Sequence, residues 1–118
     1  MKVYRVEEPK GKHGLWRDFD GKHNPVFNKL SEGKVRNLPM DDNFEIYKQN
    51  NKDWFASAPS KETLQHWFSK QDLIELEKLN YKIFEFEIKN SIKLSDFEII
   101  FTRDNIINTK ELQISDIY

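Results

Sequence analysis

The sequence contains no cysteine. A disulfide framework and a zinc site built on thiolates are therefore both excluded, and nothing indicates an oxidising compartment. No stretch approaches the roughly 18 consecutive apolar residues of a membrane-spanning helix. Met1 is followed by the strand-like run Val3 to Val6 and not by the apolar segment of a signal peptide. We therefore expect a cytoplasmic protein that does not cross a membrane.

A large excess of either charge is also missing, because the net charge is only −1. Strong non-specific binding of nucleic acid by the whole surface is therefore not expected. The charge is distributed unevenly, with nine Lys/Arg and five Asp/Glu in residues 1–36 but eight and eleven in residues 61–118. The two ends of the chain thus carry opposite net charge.

Large aromatic side chains are plentiful, with nine Phe, four Tyr and three Trp among 118 residues. Each buries about 150–250 Å² when it packs into a core. A chain of this length is typical of one domain with one core. We therefore predict a single domain over residues 1–118.

The N-terminal half shows little regular patterning. A first strand is predicted from Lys2 to Val6, ending before Pro9, which cannot donate a ladder hydrogen bond. Residues 10–52 contain all four glycines and show no sustained period of 2 or 3.6. Aromatic residues such as Trp16 and Phe27 are embedded in this segment, so we expect a long loop-rich region that packs on the core.

Residues 54–80 carry stronger signals. Trp54 to Ala58 is predicted as a strand, and Ser60 as the N-cap of a following helix. The apolar face of that helix consists of Leu64, Trp67 and Phe68. A second helix is capped by Ser69, presents Leu73, Leu76 and Leu79 at intervals of three, and stops at Asn80.

Two further strands are predicted, over residues 81–88 and 96–102, where apolar residues alternate with polar or acidic ones. Only seven residues separate them, which is too few for a helical crossover, so they are predicted to pair antiparallel with each other. The run of residues 112–118 is predicted to add an edge strand. The expected fold class is α+β, with a small, mostly antiparallel sheet and one or two short central helices.

Common catalytic and metal-binding motifs are missing. His13, His23 and His66 have no spacing that brings them to one metal ion, and His66 is interpreted as a partly buried packing residue. There is no cysteine nucleophile, no Gly-x-Ser-x-Gly elbow and no phosphate-binding Gly-x-x-x-x-Gly-Lys loop. No metal site is predicted.

One set of residues does follow a recognisable order. Arg5 closes the first strand, Ser57 closes the second, and Glu98 lies in an acidic-x-Glu pair before an apolar strand. This order resembles the arginine, serine and glutamate signature of mono-ADP-ribosyltransferases. The resemblance implies NAD as cofactor, with the arginine supporting its phosphates, the serine ordering the site and the glutamate holding the nicotinamide ribose. A rival acidic pair, Glu85-x-Glu87, fits the same motif equally well.

A wider resemblance spans Val3 to Phe101. The layout Tyr-Arg, Gly-Leu-Trp-Arg, Phe-Ala-Ser, Leu-Gln-x-Trp-Phe and Glu-Ile-Ile-Phe resembles small uncharacterised proteins of bacteriophages and other mobile elements. Phage accessory proteins of this size often bind host machinery, and some, such as anti-CRISPR proteins, inhibit defence nucleases. The resemblance implies a non-enzymatic binder of a host protein or protein–RNA complex; the alternative is an ADP-ribosyltransferase-like enzyme that uses NAD.

The predicted binding surface is a basic stretch in which cations alternate with aromatic residues, a mixture used on nucleic-acid and ribonucleoprotein surfaces. Its candidate residues are Lys10, Lys12, Trp16, Arg17, Lys22, Lys29, Lys34 and Arg36. Asp18, Asp20 and Glu32 dilute its charge, and a packed loop with solvated lysines is the alternative interpretation. Direct contact with nucleic acid is left open.

Overall fold

The computed structural model describes residues 1–8 and 54–118. The described residues form six strands and two helices, together with two short 3-10 turns. In chain order these are β1 (Lys2–Glu7), β2 (Phe55–Ser57), α1 (Lys61–Trp67), α2 (Lys70–Lys78), β3 (Lys82–Ile88), β4 (Ile92–Ser95), β5 (Glu98–Phe101), the turn Arg103–Asn105, β6 (Ile106–Leu112) and the turn Ile114–Asp116. The predicted α+β class is confirmed. The predicted loop-rich segment, residues 10–52, lies outside the described residues.

The strands form two three-stranded antiparallel sheets, with the orders β1-β3-β6 and β2-β5-β4. An antiparallel bridge joins the sheets at Tyr4 and Ala58. Both of its backbone hydrogen bonds are made, with N···O distances of 2.9 and 2.7 Å. The strands therefore follow the order β4-β5-β2-β1-β3-β6, in which β1 and β2 meet at the junction of the sheets.

Local side-chain caps fix where both helices begin. The Ser60 hydroxyl accepts a hydrogen bond from the Thr63 backbone N–H at 3.1 Å, and so satisfies one of the donors left open at the start of α1. Ser69 and Asp72 form a reciprocal capping box at the start of α2. After α2 the chain reverses at Asn80, which adopts a left-handed φ of 70°. All three signals were predicted.

Two clusters of buried side chains form the core, one on each face of β1. The first holds Val6 together with apolar residues of both helices, among them Leu64, Trp67 and Leu76. The second contains aromatic and aliphatic side chains of both sheets, with Phe86 and Phe101 at 5.7 Å between ring centroids. Since successive side chains of a strand point to opposite faces, β1 supplies both clusters.

The predicted pairing of residues 81–88 with residues 96–102 is wrong. β3 pairs instead with β1 and β6, whereas β5 pairs with β2 and β4. The residues between β3 and β5 include a strand, β4, which forms an antiparallel hairpin with β5. The observed strand β5 is shorter than the predicted strand 96–102. Phe97 lies in the turn before it and is 38% exposed, whereas Glu98 to Phe101 are all buried.

The C-terminal strand also differs from the prediction. The edge strand β6 covers Ile106–Leu112, and a 3-10 turn at Ile114–Asp116 follows it. Its solvent-exposed stretch from Ile107 to Glu111 leaves little apolar alternation to detect. Leu79, predicted on the apolar face of α2, is 44% exposed, because the helix has ended by that residue.

Candidate functional site

Arg5 lies in the middle of β1 and is almost completely buried, at 6% exposure. It shares its strand face with Val3 of the second cluster, since Tyr4 and Val6 pack against the first. Its guanidinium donates from Nη1 to the Ala56 carbonyl oxygen at 2.8 Å and from Nε to the Glu7 carboxylate at 2.8 Å. The side chain thus links β1 to β2 at the junction of the sheets.

The Glu7 carboxylate accepts hydrogen bonds from two arginines. It is 3% exposed, and besides Arg5 it accepts hydrogen bonds from Nη1 and Nη2 of Arg103, the former at 3.1 Å. The two-nitrogen contact is the forked geometry that arginine uses with carboxylates and phosphates. Arg103 is the more accessible arginine, with 27% of its side chain exposed.

Both guanidiniums also lie over aromatic rings. The central carbons of Arg5 and Arg103 are 5.0 and 4.3 Å from the centroid of Phe55, and Arg103 lies 5.5 Å from that of Phe86. These distances are within the range of cation–π attraction, which strengthens when the pair is desolvated. We call Arg5, Glu7 and Arg103 the two-arginine cluster.

Ser57 lies on the same face as Arg5. Tyr4 and Ala58 are bridge partners, so their neighbours Arg5 and Ser57 both lie on the opposite face of the joined strands. Ser57 is fully buried, and its hydroxyl donates to the Ile99 carbonyl oxygen at 2.7 Å. The hydroxyl therefore serves as a link from β2 to β5.

Glu98 is buried, at 3% exposure, but does not share this face. Ser57 is in register with Ile99, whose side chain belongs to the second cluster. Glu98 precedes Ile99, so the alternation of side chains puts it on the other face of β5. The structure thus brings Arg5 and Ser57 together on one face, with Glu98 on a neighbouring strand behind it.

The rival acidic pair is placed differently again. Glu85 and Glu87 lie in β3, in register with Tyr4 and Lys2 of β1. Glu85 is paired with the Lys2 ammonium at 3.4 Å. Burial, together with the charge and hydrogen bonding of Glu85, raises the pKa of Tyr4 above its usual value near 10. This pair therefore lies on the face opposite to Arg5.

Most of the remaining candidate residues lie outside the part of the chain that the structure describes. Lys10, Lys12, Trp16, Arg17, Lys22, Lys29, Lys34, Arg36, His13 and His23 lie outside the described residues. His66 is exposed on α1, so its interpretation as a partly buried packing residue is wrong. Within residues 1–8 and 54–118, no three His, Asp or Glu side chains are grouped so that they could hold a metal ion.

Sequence reasoning missed Glu7 and Arg103. They are 96 positions apart, and Arg103 follows β5 in the 3-10 turn Arg103–Asn105. Only one signal was available, namely that Glu7 lies two residues after Arg5 and so shares its face of the strand. Nothing in the spacing of Arg103 indicates that it returns to β1.

These observations define a small α+β protein in which two antiparallel sheets meet at a buried two-arginine cluster. Residues 1–115 match the model of the family described as Bacteriophage T4 Y00F protein. The chain therefore belongs to this phage protein family, which confirms its interpretation as a small phage protein. Comparison with curated proteins gives no match, and comparison with solved structures gives none either.

No helix within the described ranges is both long and apolar enough to span a membrane.

Proposed function

We propose that this phage protein is a non-enzymatic binding protein that engages and inhibits a protein or protein–RNA complex of the bacterial host, such as a defence nuclease. The proposal rests on one observation, namely that the side chains of Arg5 and Ser57 form hydrogen bonds to other residues within the fold. Their polar groups are bonded to Ala56, Glu7 and Ile99 within the fold.

These hydrogen bonds give both residues a structural role that requires no catalytic activity. Arg5 and Ser57 are at most 6% exposed, and each makes a hydrogen bond to a backbone carbonyl of a neighbouring strand. Buried polar groups need such partners, because an unmade hydrogen bond costs about 1–3 kcal/mol. Glu98 lies on the opposite face of β5, so no carboxylate of the signature faces Ser57 there.

The proposed binding surface is the basic segment from Lys10 to Arg36. Its lysines and arginines give residues 1–36 a balance of +4, which suits an acidic protein surface or the phosphates of a bound RNA. Trp16 supplies an aromatic anchor of the kind that dominates binding energy at protein interfaces.

Charge reversal tests this surface. In affinity capture from host lysate, a variant with Lys10, Lys12, Arg17 and Lys22 replaced by Glu should lose the partner that the wild type retains. The matched control replaces four lysines of the described surface by Glu, namely Lys70, Lys78, Lys89 and Lys93, all of them exposed. Equal capture by the basic-segment variant, with circular dichroism unchanged, would rule out this segment as the contact surface.

An ADP-ribosyltransferase-like activity on NAD is the second candidate. One observation favours it, namely that Arg5, Ser57 and Glu98 lie on β1, β2 and β5, which are consecutive in the joined strand order. It predicts NAD-dependent labelling of a host protein that disappears in Glu98→Gln and persists in the rival variant Glu87→Gln. If the wild type neither binds nor consumes NAD in host lysate, this candidate fails.

A further inference from the structure

The outer face of the second sheet, β2-β5-β4, carries buried side chains that belong to neither core cluster. Ala56 and Ile100 are in register on β2 and β5, and Glu98 lies on the same face as Ile100. Ala56, Ile100 and Glu98 are 7, 0 and 3% exposed. Neither Ala56 nor Ile100 is a member of the two clusters that residues 1–8 and 54–118 form. We call these three residues the outer-face patch.

The two helices lie beside the other sheet. α1 contacts β1, and α2 contacts the turn Ile114–Asp116 that follows β6. Their buried apolar side chains belong to the first cluster. Ile100 nevertheless has no exposed surface, and a fully buried side chain is in contact with about 6–12 other residues. Its register partners Ala56 and Ile92 supply part of these contacts, so the rest come from elsewhere in the chain.

The two places where residues 9–53 join the described chain lie at the junction of the sheets. The segment follows β1 and precedes β2, and these two strands are neighbours at the Tyr4 and Ala58 bridge. β2 has β5 on its other side, and Phe55 on its inner face packs against the second cluster. The outer face is therefore the surface of β2 that these contacts leave for the segment.

Within that segment, Phe44 and Ile46 match the outer-face patch best. They alternate with Glu45 and Tyr47, which is the pattern of an extended stretch with one apolar face. The six residues 48–53 that separate them from the described chain are all polar and include two adjacent asparagines, which favour a turn. A short loop costs less entropy to close than a long one, which favours these residues over apolar residues earlier in the segment.

We propose that Phe44 and Ile46 pack on the outer-face patch of the same chain, chiefly against Ile100. Glu98 then lies beneath the chain's own residues, and a ligand that reaches Glu98 has to displace them. Phe44 and Ile46 lie outside the basic segment from Lys10 to Arg36. The inference can therefore fail while the proposed host-binding surface stands, and the reverse is also true.

A spin label tests this packing directly. Because the chain has no cysteine, a single introduced cysteine carries a nitroxide label at one chosen position. Ile92→Cys is suitable, since Ile92 is in register with Ile100 and is 39% exposed. Its label should remove most of the amide NMR intensity of residues 44–47, and reduction of the nitroxide should restore it. The matched control Lys70→Cys carries the label at an exposed position of α2, beside the other sheet, and should leave these signals sharp.

Other occupants of this face give different results. Sharp signals for residues 44–47 in labelled Ile92→Cys overturn the inference, whichever other residues are broadened. A mixture of spin-labelled protein and unlabelled nitrogen-15 protein separates the two sources of broadening, because only contact between copies can then broaden the signals. Broadening of residues 44–47 that persists at full strength in this mixture assigns the face to a second copy and overturns the inference as well.

A pair of substitutions gives an independent readout. Ile46→Ala and Ile100→Ala should each lower the urea midpoint, and the double variant should lose less than the sum of the two shifts, because the two side chains share one contact. Ile46→Ala combined with Leu76→Ala of the first cluster should be additive. Full additivity in the first pair would contradict the contact. Should Ile100→Ala fail to fold, the spin-label comparison decides the question alone.

Discussion

Replacing Glu7 by Gln should destabilise the protein more than any surface charge substitution. The Glu7 carboxylate is 3% exposed and accepts bonds from three arginine nitrogens. The amide of Gln keeps the size of the side chain but loses the negative charge and one acceptor position. Arg5 would then be a buried cation that has lost this counter-ion.

The magnitude follows from the burial of the partners. Removing one partner of a fully buried ion pair costs about 3–5 kcal/mol. Arg103 is 27% exposed and can regain water, which lowers the expected cost. We therefore expect Glu7→Gln to reduce the free energy of unfolding by about 2–4 kcal/mol.

Urea denaturation measures this loss, and Glu75→Gln is the matched control. Glu75 also accepts from two side chains, Gln71 at 3.0 Å and Lys78 at 3.2 Å, but on the exposed face of α2. Such surface pairs contribute little, so we expect the control to lose no more than about 0.5 kcal/mol. Losses in the two variants that agree within about 0.5 kcal/mol, with equal denaturant slopes, would refute the role assigned to the cluster.

Three further outcomes follow from single contacts. Ser57→Ala should cost about 1–2 kcal/mol in urea denaturation, because the buried Ile99 carbonyl loses its side-chain donor; an unchanged midpoint would contradict the structural role of this serine. Ser69→Ala should cost about 1 kcal/mol and fray the start of α2, visible as faster amide exchange there, whereas equal exchange would contradict the observed capping box. Stability should fall as the pH rises above about 10, because the pKa of Tyr4 is raised in the folded state and the unfolded chain loses that proton first. Tyr4→Phe should reduce this loss of stability, and an unchanged pH profile of stability in Tyr4→Phe would contradict the prediction. The pKa of Tyr118 is also raised, so Tyr118→Phe measures the contribution of the second tyrosine.

The helices were predictable because their signals are local. Ser60 and Ser69 lie within three residues of the backbone groups that they cap, and Asn80 marks the reversal itself. Strand pairing is not local. β3 lies between β1 and β6, and its partners come from opposite ends of the chain, so a short connection from β3 toward β5 was a misleading guide.

In the candidate site, too, the local features were predictable from the sequence and the long-range contacts were not. Strand periodicity put Arg5, Ser57 and Glu98 on strands, but their faces depend on the register between β2 and β5, which one sequence does not determine. Arg103 was missed because its partner Glu7 is 96 residues away and no motif links them. Buried ion clusters of this kind depend on tertiary geometry and not on spacing.

We propose that the protein acts by binding, through its basic segment, and not by chemistry at Glu98. The most direct measurement is the affinity of the purified captured host partner for the wild type, the fourfold basic-segment variant and Glu98→Gln, all in the absence of NAD. We predict tight binding by the wild type, equal binding by Glu98→Gln, and loss of binding in the fourfold variant. Binding that requires NAD or is lost in Glu98→Gln, while the fourfold variant binds normally, would contradict the account.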